Sequence, residues 1–321
     1  MALAAPVIEV SELVIEFATR GLPVRALDCV DFKAWRDECV GIVGESGSGK
    51  STLAMAIGGL NRAGVKPLQG RVSMAGRDVF SIDGVERRRF LSEDIGFVFQ
   101  NPIGSLDPTR RIFKQFFSQA GRLLERERIE GLLQSVGLHD TDRILSSYPH
   151  ELSGGMAQRV CIAMAISANP SLLIADEPTA ALDASTRLQV LDVLTTLRAQ
   201  TQATMVLVSH DLHVIRRYCD RICVMYAGRI VESGPTGAVL DSPQHPYTAA
   251  LLRSTPGPEG KGGRLISIPG SPPTLHGRAE YCAFEPRCTS AMQRCTNQRP
   301  ETVLLEGRST SCWLPLAGSK K

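Results

Sequence analysis

The sequence predicts an α/β fold: an open, largely parallel sheet, interrupted by a helical insertion and followed by a small cysteine-containing domain. Three observations predict it. Short apolar runs alternate with helical patterns, as where Cys39-Val40-Gly41-Ile42-Val43 precedes a helix starting at Lys50, and such alternation builds parallel sheets. Between residues 111 and 137 the apolar period changes to three and four, through Ile112, Phe116, Ala120 and Leu123 and then Ile129, Leu132, Leu133 and Val136, the mark of amphipathic helices. Beyond about residue 240, Pro243, Pro246, Pro256, Pro258, Pro269, Pro272 and Pro273 punctuate a stretch that ends in four clustered cysteines.

In chain order, residues 7–17 and 24–32 read as strands joined by a turn at Gly21-Leu22-Pro23. A short apolar run then ends in a glycine loop, with a helix over 50–60. Residues 70–74 and 95–99 are further strands. The helical insertion covers about 104–168, ending with a helix from Met156 that stops at Asn169-Pro170. A strand over 172–175, a helix over 185–200 and strands over 204–209 and 221–225 complete a first domain of residues 1–240. Residues 241–321 form the second, with a flexible link at 260–263. A core of that size is marginal alone, so something else must staple it.

Bulk properties exclude several classes. The chain has 321 residues, 43% hydrophobic and 21% charged, with a net charge of +3. That excess is too small for a nucleic-acid binder, and Arg87-Arg88-Arg89 reads as a solvated helix face. No apolar run approaches the roughly 20 residues a membrane helix needs, and residues 2–10 lack the pattern of a signal peptide, so a cytosolic protein is expected. Of nine cysteines, Cys29, Cys39, Cys161, Cys219 and Cys223 read as small core residues.

Gly44-Glu45-Ser46-Gly47-Ser48-Gly49-Lys50-Ser51-Thr52 follows an apolar strand and opens a helix. This is a phosphate-binding loop: successive backbone N–H groups converge on phosphate oxygens and the helix N-terminus adds partial positive charge. Lys50 is expected on the β- and γ-phosphates of ATP and Ser51 on Mg²⁺. Leu172-Leu173-Ile174-Ala175-Asp176-Glu177 is a strand ending in two carboxylates. Asp176 is expected to hold Mg²⁺, and Glu177 to polarise the water that attacks the γ-phosphate. Gln100 and His210 each end a strand; Gln100 can reach the metal or the attacking water, and His210 the γ-phosphate. Phe17 either stacks on adenine or packs in the core.

Leu152-Ser153-Gly154-Gly155-Met156-Ala157-Gln158-Arg159 is a second glycine-rich helix start, between the loop and the carboxylates. With Gln100, Ala181-Leu182-Asp183 and His210 these motifs come in one order and spacing, and residues 7–240 resemble the ATP-binding subunits of ABC transporters. The resemblance implies a P-loop NTPase domain of ABC type, an ATP hydrolase that pairs head to tail with a second such subunit, identical or homologous. Ser153, Gly154, Gly155, Gln158 and Asp183 of one subunit would then contact ATP on the loop of the other. Ser153 is also a plain N-cap, and the two readings are compatible.

Residues 99–108, 225–232 and 245–252 are similar to the peptide/nickel importer branch. That branch implies uptake of oligopeptides or dipeptides, with nickel or another small solute as the alternative. It implies two membrane permease subunits, indirectly an extracytoplasmic solute-binding protein, no nucleic-acid partner, and a peripheral place on the cytoplasmic face of the inner membrane. Ala157, Ala249 and Asp107 depart from its commonest wording without removing a catalytic group. A soluble non-transport ABC ATPase fits poorly, because the chain has no tandem domain and no sustained heptads.

Cys282-x₅-Cys288-x₆-Cys295-x₁₆-Cys312 is not the C-x₂-C spacing of common zinc sites. Thiolates suit an iron–sulfur cluster or zinc, and unliganded thiols in a small core are the third reading. The resemblance favours a [4Fe–4S] cluster, which would supply folding energy to the short tail.

Overall fold

A computed structural model describes residues 5–60, 65, 67–119, 124–180, 182, 184–255, 267–305 and 307–314. Strands β1 (Ile8–Phe17), β2 (Val24–Ala34) and β3 (Cys39–Val43) open the chain, followed by helix α1 (Lys50–Ile57). Strands β4 (Gln69–Met74) and β5 (Arg77–Asp78), helix α2 (Gly84–Glu93) and strand β6 (Ile95–Val98) come next. Helices α3 (Pro102–Ser105), α4 (Ile112–Gln119), α5 (Arg126–Ser135), α6 (Thr141–Ser146) and α7 (Gly154–Ile166) fill the stretch to strand β7 (Leu172–Asp176). Helix α8 (Ala184–Thr201), strand β8 (Thr204–Val208), helix α9 (Leu212–Tyr218) and strands β9 (Arg221–Tyr226) and β10 (Arg229–Pro235) follow. The chain continues through α10 (Thr236–Asp241), α11 (Pro246–Ser254), β11 (Val303–Leu305) and β12 (Arg308–Thr310).

Contacts divide the chain into two compact units. The first comprises Phe80–Val208 with Ala34–Glu38. Its strands run β6-β7-β8 and pair in parallel, with Ile95 opposite Leu172 and Asp176 opposite Val208. Every residue of these strands is buried, the continuous apolar run expected of parallel strands covered on both faces. Helix α7 buries Ala157 through Ile166 apart from Arg159 and packs on α3, α5 and β6. Gln115 on α4 is only 5% exposed. Its amide donates to the carbonyls of Asp107 (3.1 Å) and Arg110 (2.8 Å) and accepts from the Asp107 N–H at 2.9 Å, pinning the loop ahead of its own helix.

The second unit comprises Ile8–Lys33, Cys39–Val79 and the chain from Ser209 onward. Here β3 pairs in parallel with β9, and β10, β12 and β11 extend that sheet antiparallel, in the order β3-β9-β10-β12-β11. A separate four-stranded sheet has the order β2-β1-β4-β5, with β1–β4 and β4–β5 antiparallel. The expectation of a largely parallel sheet therefore holds for β6-β7-β8 and β3-β9 and needs this antiparallel sheet added. Short connections join β1 to β2 and β4 to β5, while β3 and α1 lie between β2 and β4; antiparallel pairs need no crossover helix.

The described residues beyond Asp241 group with this second unit. Glu232 on β10 is fully buried, and its carboxylate accepts from Arg308 at 2.6 Å, from the Gln244 N–H at 2.8 Å and from the His245 N–H at 2.9 Å. Asp28 on β2, also fully buried, accepts from Arg25 and from Arg299, both at 3.1 Å. His245 caps α11 by accepting the Tyr247 N–H on Nδ1 at 3.0 Å, and burial pushes its pKa down to about 4, so the ring is neutral near pH 7.

Candidate functional site

The phosphate loop belongs to the second unit. Strand β3 delivers it and α1 starts on its Lys50. Gly49 has φ +100, and a Cβ there would lie 2.6 Å from the Ala26 carbonyl, so only glycine closes the turn without strain. Ser48 accepts the Gly228 N–H on its carbonyl at 2.9 Å, which ties the loop to the turn after β9. Lys50 is 6% exposed, and its ammonium donates to the carbonyls of Gly44 and Glu45, both at 2.9 Å. Ser46, Gly47 and Ser51 are exposed and Thr52 is half-buried. The Ser48 hydroxyl is buried with no hydrogen-bond partner. A buried cation, an orphaned hydroxyl and a helix N-terminus together make a cradle suited to phosphate.

His210 is exposed and precedes α9, whose N-cap Asp211 accepts the His213 and Val214 N–H groups. Phe17 ends β1 half-buried, outside the buried core.

The carboxylates belong to the first unit. Asp176 ends β7 at 7% exposure. Glu177 follows with φ +45, and its N–H donates to the Val208 carbonyl at 3.0 Å. A left-handed backbone at a non-glycine residue is costly and tends to mark functional positions. The Gln100 amide approaches the Glu177 carboxylate at 3.4 Å. Gln100, Asn101, Gly104, Ser105 and Asp176 line one open cleft.

The second glycine-rich helix start is likewise in this unit. Ser153 is exposed and caps α7, accepting the Met156 N–H at 3.3 Å. A Cβ on Gly154 would meet nothing within 4 Å, whereas one on Gly155 would touch Thr186 at 3.4 Å. Gln158 lies apart from this open surface: it is 1% exposed, with its amide nitrogen unpartnered. Ala181 and Asp183 lie outside the described residues.

Cys282, Cys288, Cys295 and Cys312 line one small cavity, with Phe284 and His245 beside them. The Cys282 N–H donates to the Cys295 carbonyl at 2.9 Å. Burial pushes the Cys282 thiol up to about 11 and raises those of Cys288 and Cys312, so a metal binding there must displace protons. Among the described residues, no three His, Cys, Asp or Glu side chains form a group that could hold a metal ion. Four thiols lining one cavity are soft donors. None of the nine cysteines is in a disulfide; of the other five, Cys29 is half-buried and Cys39 faces Cys219 at 3.4 Å.

Sequence reasoning passes over the residues that hold the phosphate loop from behind. Arg287 forms a two-pronged ion pair with Glu45, at 2.7 and 2.9 Å, and the Tyr247 hydroxyl accepts the Glu45 N–H at 2.9 Å. Arg287 belongs to no motif, and Tyr247 sits in the 245–252 stretch with nothing in the sequence to tie it to the phosphate loop.

Among the described residues, no helix is long and apolar enough to cross a membrane. Residues 27–180 match the ABC transporter family, and residues 231–295 match the oligopeptide/dipeptide transporter C-terminal region. The dipeptide transport ATP-binding protein DppD of Escherichia coli (strain K12) is 39% identical over 316 residues, covering 96% of this chain and 97% of that protein. The oligopeptide transport ATP-binding protein OppD of Salmonella typhimurium is 37% identical over 318 residues, covering 96% and 94%. Among solved structures, the post-hydrolysis dimer of the ATP-binding cassette MJ0796, bound to ADP and Pi, superposes with a TM-score of 0.64 at 29% identity, covering 71% of this chain and 98% of that one.

Proposed function

Since the chain belongs to the ABC transporter family, with dipeptide and oligopeptide ATP-binding proteins as relatives along nearly its whole length, we propose that it hydrolyses ATP to drive uptake of dipeptides or oligopeptides across the cytoplasmic membrane. The observation that carries the reading is the phosphate cradle, with buried Lys50 and the orphaned Ser48 hydroxyl at the start of α1. Gly44, Ser46, Gly47, Gly49 and Thr52 complete the loop around the phosphates. Ser51, Gln100 and Asp176 would hold Mg²⁺, which neutralises phosphate charge when bound. Glu177, oriented by Gln100, takes the proton of the attacking water. His210 serves the γ-phosphate, and Phe17 offers a half-buried ring to adenine. Ser153, Gly154 and Gly155 face the nucleotide of a partner ATPase subunit, with Asp183 assigned there by its place in the motif; Gln158 supports them from the buried side of α7.

The proposal divides the chain into an ATPase domain of residues 1–240 and an appended C-terminal region of 241–321. Two permease subunits would anchor it on the cytoplasmic face, fed by an extracytoplasmic binding protein. The four tail cysteines would hold a [4Fe–4S] cluster, whose contribution is folding energy for the tail; anaerobically purified protein that contains neither iron nor sulfide would rule this out.

The deciding variant is Glu177→Gln. It should abolish turnover while retaining ATP and trapping a closed dimer, and unchanged hydrolysis would refute Glu177 as the base. Uptake of labelled dipeptide by cells carrying the transporter should be lost with Lys50→Ala. If nickel uptake is lost instead, the substrate assignment fails and the ATPase assignment stands.

A further inference from the structure

The cysteine-bearing tail and the phosphate loop meet at one residue, Glu45, which is bound at three points. Its carbonyl accepts the Lys50 ammonium at 2.9 Å, its N–H donates to the Tyr247 hydroxyl at 2.9 Å, and its carboxylate takes both prongs of Arg287. The Arg287 side chain is 4% exposed and that of Glu45 is 24% exposed, so the pair is shielded rather than a loose surface contact. Arg287 is itself fixed by the Pro269 carbonyl at 2.8 Å and the Tyr226 hydroxyl at 3.2 Å.

The segment carrying Arg287 is the short run between two of the clustered cysteines. Phe284, two residues after Cys282, packs edge-on against Tyr226 and Tyr247 with ring centroids 5.2 and 5.3 Å away. Arg287 immediately precedes Cys288. One loop thus has cysteines at its ends and Phe284 between them, all lining the cavity, and it carries Arg287, the cation that holds Glu45.

We infer that Arg287, assisted by Tyr247, is a positioning residue for the phosphate loop, and that the 282–288 loop uses it to set the affinity for nucleotide according to the state of the cysteine cavity. The inference rests on the phosphate-site reading above. Two physical effects give its direction. The clamp holds Glu45 so that the carbonyls meeting Lys50 stay in place, and a loop populating this arrangement only part of the time binds more weakly in proportion. The guanidinium also neutralises a carboxylate that would otherwise stand beside incoming phosphates, a repulsion that grows with the charge of the nucleotide.

The test is titration of the full-length protein, cysteine site intact, with MgATP and MgADP, alongside steady-state kinetics and thermal melting. Arg287→Ala should weaken ATP binding about tenfold, weaken ADP less, and raise KM more than it lowers kcat. Adding Glu45→Gln should recover most of the loss, because the stranded charge is gone. Unchanged ATP affinity in Arg287→Ala at unchanged melting temperature overturns the inference, and so does an equal loss for ATP and ADP with no rescue.

If Arg287→Ala does not fold, Tyr247→Phe removes only the acceptor of the Glu45 N–H and should weaken ATP roughly threefold; no change there has the same overturning force. For the link to the tail, Cys288→Ser should shift ATP affinity when Arg287 is present and not in the Arg287→Ala background. The same shift in both backgrounds removes Arg287 as the connection. Lys50→Ala serves as the control: if it binds MgATP like the wild type, the phosphate-site reading itself fails, and if it loses ATP while Arg287→Ala does not, only the positioning role fails.

Discussion

Gly154 is under no constraint from its own chain: its backbone is helical and a Cβ there would meet nothing within 4 Å. Alanine is the better helix former by roughly 1 kcal/mol, so Gly154→Ala should melt at the same temperature or slightly above. If Gly154 faces a partner subunit's nucleotide as proposed, ATP turnover by the assembled transporter should nevertheless fall by about tenfold or more, because the new methyl would stand where a close backbone approach is needed. Unchanged turnover would place the reason for this glycine elsewhere. Lys50, Asp176 and Glu177 are legible in the sequence because their chemistry needs fixed offsets within a few residues, and such offsets survive as text. Arg287 is not, since its partner lies 242 residues away and a pairing at that separation leaves no local period. The left-handed backbone of Glu177 is equally silent, being imposed by β7 and β8 rather than by the residue.

Elements buried on both faces read most directly. β3, β7 and β8 are mostly apolar and buried along their whole length, and each lies within a residue of its expected bounds. Helix α7 begins at Gly154 rather than Met156 because Ser153 is the cap, so its glycines form the first turn. How short elements are tied down leaves no such signal in the sequence. Gln115 shows the mechanism, with one side chain making three hydrogen bonds to the loop at residues 107–110. Gln115→Ala should cost about 0.5–1.5 kcal/mol through the loss of its hydrogen bonds to the 107–110 loop, and hydrogen exchange at the Asp107 amide should rise with it. An unchanged exchange rate would mean that the loop is held by other contacts. β11 and β12 are three residues each, too short for any alternation to mark them, and the apolar Val303-Leu304-Leu305 of β11 is exposed throughout. Their place comes from pairing with β10.

Across the whole molecule, the tail is bound in by charge. Glu232 is fully buried and Arg308 is the cation that meets it. Arg308→Met should destabilise the protein by about 3–5 kcal/mol, since an uncompensated buried carboxylate remains, and adding Glu232→Gln should recover most of that in denaturant unfolding. A small cost for the single variant would show that the Gln244 and His245 N–H groups suffice. The same dependence bears on time. The first unit draws nearly all its residues from one run, Phe80–Val208, with two short additions, whereas the unit holding the phosphate loop joins three long stretches that end with the chain from Ser209 onward, and widely separated contacts form slowly. The phosphate motif is made early and put in order late, by an arginine that follows its Glu45 by 242 residues. In refolding, nucleotide binding should therefore lag behind the helical signal of Phe80–Val208. On the inference above, a chain stalled before Arg287 carries every residue of the phosphate motif yet binds ATP about tenfold more weakly, so tight ATP binding would mark a chain synthesised past Arg287.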